Sequence, residues 1–165
     1  MTTEEGPTPP SVPTPVKAGG LILGLVMALA LIIPSEGKRR HAYLDTTATP
    51  TICYGETYGV TLGQVATDQQ CLDLLKQDLT ARIASMQECT SVDVAPEVAG
   101  AMIDFAYNAG VEAYCGTPAT LLNAGKTVAA CNWLGSHYTT SRGIKLRGLV
   151  NRRQRERALC LKGAR

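Results

Sequence analysis

Glu36, Asp45 and Thr51 follow one another in the spacing Glu-x8-Asp-x5-Thr. A carboxyl group that keeps its proton can donate it to a leaving oxygen. A second polar group on the opposite side of the scissile bond can then hold and activate a water. That division of roles suits hydrolysis of a glycosidic bond. The spacing alone is weak, since a helix-end Glu, a turn Asp and a strand Thr are common structural residues. Context strengthens it. Glu36 directly precedes Gly37, Asp45 sits in AYLDTT, and Thr51 opens TICYGETYG, where Tyr54 and Gly55 can turn the chain.

Other chemistries find less support. The six cysteines lack paired short C-x-x-C spacings, and His41 and His137 are isolated, so the sequence implies no metal site and no cofactor. An even cysteine count permits a full set of disulfides outside the cytosol, and free buried thiols inside it. Pairing across neighbouring elements favours Cys53–Cys71 and Cys131–Cys160, with Cys89–Cys115 as the remainder. Nine of the sixteen Lys and Arg residues lie between Arg142 and Arg165, where Glu156 is the sole acid. That tail reads as a solvated basic helix face or as a surface steering toward an anionic polymer or membrane. No aromatic interleaving or nucleic-acid motif accompanies it, so nucleic acid is not an expected partner. No obligate protein partner is evident either.

The elements that must position these residues are legible from pattern. Residues 41–61 are rich in Thr, Tyr and turn formers and predict a small irregular sheet. Thr67 and Gln70 form a capping-box pair ahead of a helix that carries Leu72, Leu75, Leu79, Ile83 and Met86 on one face. Pro96 opens a second helix, which closes at Gly110. Short helices are expected over 117–125 and 127–135, and a basic one over 149–161. The whole is α+β: a small irregular β-sheet followed by a helical lobe.

The N-terminus is different. Residues 1–17 form a Pro-rich arm, with five prolines between positions 2 and 16 and little apolar bulk. Residues 18–33 then run without a charge, bounded by Lys17 and Pro34. As a helix they span about 24 Å against a hydrocarbon core of roughly 30 Å. Six of the sixteen are Gly or Ala, which weakens the segment further as an anchor. Lys38, Arg39 and Arg40 follow it, against the usual bias for an N-inside insertion. No small-x-small cleavage site closes the run, which disfavours a cleaved signal peptide. A buried core helix and a signal-anchor able to leave the bilayer both fit, and the Gly/Ala content favours the second. Once free, the stripe of Leu21, Leu25, Leu29 and Ile32 is expected to fold against the body or self-associate.

Taken together, EG at 36–37, AYLD at 42–45, TICYG at 51–55, CLDLLKQDL at 71–79, FAYNAG at 105–110, TPATLLNAG at 117–125 and GLVNRRQRERALC at 148–160 resemble the phage-lysozyme family, glycoside hydrolase family 24. The resemblance covers residues 35–165, and the uncharged segment before Glu36 resembles that of signal-anchor-release endolysins. It implies a lysozyme-like catalytic domain at 35–165 behind a releasable anchor at 18–34. Glu36 is then the general acid, and Asp45 and Thr51 orient the water in an inverting cleavage of the β-1,4 bond between N-acetylmuramic acid and N-acetylglucosamine. For an inverting enzyme the Glu36 and Asp45 carboxyls should lie about 6.5–9.5 Å apart. Tyr43, Tyr54 and Asn108 are candidate sugar contacts, whereas Phe105 and Tyr107 fit a helix core equally well. Glu56 departs from the family, whose best-known members have His there; this places a local salt bridge in doubt and adds a third carboxylate.

The implied partners are peptidoglycan strands and, through residues 18–33, the inner membrane. The implied location is a tether facing the periplasm, then the periplasm itself. While the segment lies in the bilayer, Glu36 would be held at the membrane surface, away from its cleft. Some relatives are caged by a cysteine inside the anchor; this chain has none there. A membrane-tethered peptidoglycan-binding protein without catalysis is the alternative.

Overall fold

The computed structural model describes residues 18–164, with side chains from Leu23 onward. The Pro-rich arm, Lys17 and the side chain of Leu21 lie outside the described residues. The first helix, α1, covers Ala18–Glu36, and the hairpin β1 (Arg39–Leu44) and β2 (Pro50–Cys53) follows. Then come α2 (Asp68–Glu88), α3 (Pro96–Ala109), α4 (Val111–Cys115), α5 (Thr117–Asn123) and α6 (Thr127–Leu134). A second small hairpin, β3 (Thr140–Ser141) and β4 (Ile144–Lys145), leads into α7 (Arg147–Gly163). The architecture is the expected α+β arrangement. The pattern missed α4 and the β3–β4 hairpin, both too short to show a hydrophobic period.

Local signals act where the sequence places them. Thr67 caps α2, its hydroxyl accepting from the Gln70 amide while the Gln70 side chain accepts from the Thr67 amide. Pro96 sits in the first turn of α3, and Gly110, at φ +99°, ends it. The β1–β2 pair is antiparallel, with Tyr43 opposite Thr51 and Leu44 opposite Pro50, and its register slips between Arg39 and Tyr43. Gly37, at φ +69°, turns the chain out of α1 into this hairpin, a conformation that L side chains rarely adopt.

The centre of the molecule is α3, where Val98, Ala101, Met102, Ile103, Phe105 and Ala106 are all buried. Helices α1, α2, α4 and α7 pack around it. Close approach of α1 rests on two glycines. A Cβ on Gly24 would lie 2.8 Å from the Ala99 Cβ, and one on Gly100 would lie 2.7 Å from the Met27 Cβ. Ala28 and Ile32, each one turn further along the same face, are fully buried. The helix does not stop at Ile33 as its apolar run suggests. It passes through Pro34 to Glu36, because the hydrogen bond a proline cannot make falls in the last turn, where Ala30 is exposed to water. Among the described residues no helix is long and apolar enough to cross a membrane.

Three disulfides tie these parts together. Cys53–Cys71 joins β2 to α2, Cys89–Cys115 joins the end of α2 to α4, and Cys131–Cys160 joins α6 to α7. Their Cα separations are 5.0, 5.6 and 5.4 Å. These are the pairs favoured from the sequence.

Candidate active site

Glu36 is the last residue of α1, and its side chain keeps 25% of its exposure. Its Oε1 accepts from Nη1 of Arg152 on α7. Ser35, beside it, is gripped from both sides: its hydroxyl donates to the Leu31 carbonyl at 2.6 Å and accepts from Nη2 of Arg155 at 3.0 Å. The end of α1 is thus seated on α7 by two side-chain links. Glu36, Asn108 and Arg152 line one open cavity of about 860 Å³, together with Leu146, Gly148 and Leu149.

Asp45 stands at the tip of the β1–β2 hairpin. Its Oδ1 accepts from the Thr47 amide at 2.8 Å, the Thr47 hydroxyl at 2.7 Å and the Thr49 amide at 2.9 Å. These donors, the Thr49 amide foremost and the Thr47 hydroxyl next, hold the Asp45 carboxyl below the usual range, so it stays ionised. Thr51 is buried at 3% exposure, and its hydroxyl donates to the Thr49 carbonyl at 2.9 Å. Asp45 and Thr51 therefore share one turn through Thr49. Tyr43, across the ladder from Thr51, is half-buried, with the Arg39 guanidinium 4.3 Å from its ring centre.

The structure separates the remaining candidates. Asn108 faces the cavity of Glu36, and its Oδ1 accepts from Nη2 of Arg153 at 3.0 Å. Tyr54 is 7% exposed and belongs to the core, leaving a sugar little of its ring to touch. Its backbone is more engaged: the Tyr54 carbonyl accepts from the Tyr107 hydroxyl at 2.7 Å, and its amide donates to Oε2 of Glu56 at 3.0 Å. Burial pushes the Glu56 carboxyl up from its ordinary value, because water cannot solvate its charge there. Burial, then the negative charges of Glu36 and Glu56, push the Tyr107 hydroxyl up too. Phe105 is fully buried, in edge contact with Trp133 and Tyr138.

Reading α7 as a solvated basic face misses two of its arginines. Arg152 is 5% exposed and Arg153 fully buried. Arg152 also binds Asp104 of α3, and Arg153 pairs with Glu156 at 2.5 Å. The clue lay in charges of the wrong kind for their surroundings. Asp104 interrupts an apolar helix, and Glu156 is the lone acid in a basic tail.

A family model described as phage lysozyme matches residues 34–156. The chain belongs to the phage lysozyme family. Membership carries a lytic, peptidoglycan-degrading role. Among curated relatives, this family member is 33% identical over 140 residues to the SAR-endolysin of Pseudomonas phage phiKMV, covering 83% of this chain and 88% of that protein. It is 31% identical over 165 residues to the SAR-endolysin of Enterobacteria phage P21, covering 94% and 98%. Among solved structures, the active form of P1 phage endolysin Lyz superposes with a TM-score of 0.74 at 30% identity, over 83% of this chain and 84% of that one. The secreted inactive form of the same P1 endolysin gives a TM-score of 0.55 at 25% identity, over 83% and 94%.

Proposed function

We propose that this chain is an endolysin muramidase that hydrolyses the β-1,4 bond between N-acetylmuramic acid and N-acetylglucosamine, with inversion at the anomeric carbon. Glu36 is the general acid. Asp45, kept ionised by Thr47 and Thr49, acts with Thr51 to hold the attacking water. Asn108 and Tyr43 contact the glycan, while Tyr54 stays in the core, its carbonyl holding the Tyr107 hydroxyl. The observation that carries this reading is the seating of Glu36: the acid ends the apolar helix and is fixed by Arg152 beside an open cavity.

The same observation supports a membrane-held precursor. Seated on α3, α1 still exposes Leu23, Val26 and Ile33, at 47%, 56% and 38%. Such a helix suits hydrocarbon as well as a protein groove. In the precursor, residues 18–33 lie in the host inner membrane with the body facing the periplasm. Release lets α1 dock and brings Glu36 to its place. The nearer superposition on the active P1 form than on the secreted inactive one supports reading this docked arrangement of α1 as the active state.

The deciding experiment is turbidity clearing of purified cell walls by folded Glu36→Gln protein. Clearing should be abolished; wild-type clearing by the variant would sink the assignment of Glu36 as the acid, whereas failure of the wild type itself to clear walls would leave a peptidoglycan-binding role. The anomer formed, followed by proton NMR, reports inversion. For the membrane step, Gly19, Gly20 and Gly24 are changed together to Leu, and cells are fractionated before and after collapse of the membrane potential. The variant should stay with the membrane. Equal release of both proteins would overturn the precursor.

A further inference from the structure

Asp104 lies inside the otherwise apolar stretch from Ala101 to Ala106, and its side chain is 1% exposed. A carboxylate so buried is costly unless paired. Its pairing is with Arg152, whose Nη2 approaches Oδ1 at 2.5 Å and whose Nε lies 3.2 and 3.3 Å from Oδ1 and Oδ2. The remaining arm of that guanidinium, Nη1, goes to Glu36. One planar fork thereby hydrogen-bonds two carboxyl groups of different helices, with Glu156 a more distant third, and its own side chain is only 6% exposed.

We infer that Asp104 is a positioning residue for the cleavage reaction: it fixes the Arg152 fork and takes up its positive charge, leaving Glu36 a directed hydrogen bond in place of an uncompensated cation. This rests on the reading of Glu36 as the general acid. An acid that must donate a proton is ill served by a bare guanidinium, because such a neighbour favours the carboxylate form. A second carboxylate on the other side of the fork offsets that pull without loosening Arg152.

Other charges surround the pair. Arg152 faces Glu36 from α7, and Arg155 reaches the adjoining Ser35. From α3 comes Tyr107, from the turn after β2 comes Glu56, and from α2 come Asp78 and Arg82, which meet at the same tyrosine. Asp104 itself faces Arg152, Arg153 and Glu156, the last 3.7 Å from Nε of Arg152. Replacing Asp104 by Asn keeps these side chains in place but also lowers the Glu156 carboxyl, which burial and Asp104 push up to about 9, so the Glu36 titration is read beside the rate.

The test compares wild type with Asp104→Asn, which keeps the size and one acceptor oxygen. The kcat/KM for wall clearing is measured across pH, and the Glu36 carboxyl is titrated by carbon-13 NMR, its signal identified by its loss in Glu36→Gln. The high-pH limb should move to lower pH by about one unit, with the rate on the acidic side retained. An unmoved limb with an unmoved Glu36 titration overturns the inference, and so does an equal loss of rate at every pH, which a merely structural role would give. If the titration moves and the rate limb does not, the role of Asp104 stands and the assignment of Glu36 as acid falls. Should Asp104→Asn fail to fold, the double variant Asp104→Asn/Arg152→Gln removes both charges together. Its limb should lie at or above the wild-type position, and a limb below it overturns the inference.

Discussion

Glu36 and Arg152, 116 positions apart in the chain, meet in an ion pair that joins the end of α1 to α7. Removing the arginine does more than loosen the acid. Arg152→Ala leaves the buried Asp104 carboxylate without its partner, and breaking a buried pair in this way costs about 3–5 kcal/mol. Wall clearing should fall by about 100-fold, the scale of a misplaced reacting group. Urea denaturation and turbidity assays on one preparation check both. Wild-type stability would mean that Asp104 finds another partner.

The crossing of α1 over α3 predicts a defect separable from membrane release. Gly100 lies on α3, outside the apolar segment, and any Cβ there would meet Met27 and the Gly24 carbonyl. Gly100→Val should therefore destabilise the docked helix by about 1–3 kcal/mol, as overpacking does. Because the apolar segment itself is unchanged, the variant should still leave the membrane on collapse of the potential, with at most a shift toward the membrane fraction from weakened docking, while wall clearing drops. Cell fractionation beside a clearing assay distinguishes this from Gly24→Leu, which alters both steps.

The disulfides should carry a good part of the stability. Cys131 and Cys160 are fully buried, and their bond spans 29 positions between α6 and α7. Converting both to Ala should cost about 2–4 kcal/mol, chiefly by freeing the unfolded chain. Thiol titration of denatured, unreduced periplasmic protein should find no free thiol among the six cysteines. Six titratable thiols would refute oxidation.

Glu56 gives a pH dependence of definite sign. Burial raises its folded-state value above the ordinary 4.5. Between those two values the folded state holds the extra proton, so stability declines as pH rises through that window. Glu56→Gln cannot ionise and should remove that decline, leaving Tm higher than wild type on the alkaline side. Tm measured from pH 4 upward should converge at the acidic end. Clearing should persist in this variant; its abolition would make Glu56 a rival for the acid role.

The sequence by itself determined the elements whose signals are local. Thr67 and Gln70 cap α2 through contacts three residues apart, and Pro96 and Gly110 bound α3 through their own backbone preferences. It also determined the candidate chemistry, because Glu36 before Gly37 and Asp45 before its Thr-rich turn carry their surroundings with them. The tertiary structure decided what depends on distant pairing. That α1 lies on α3 rests on Gly24 and Gly100 meeting across the chain, and no periodicity marks which glycine another helix will touch. That Tyr54 is core, and that Arg152 is a buried partner of Glu36, were equally hidden. A side chain's exposure is set by what packs over it, and its effective charge by which opposite group reaches it. Both are properties of neighbours in space, which one residue's type and its place in the chain do not encode.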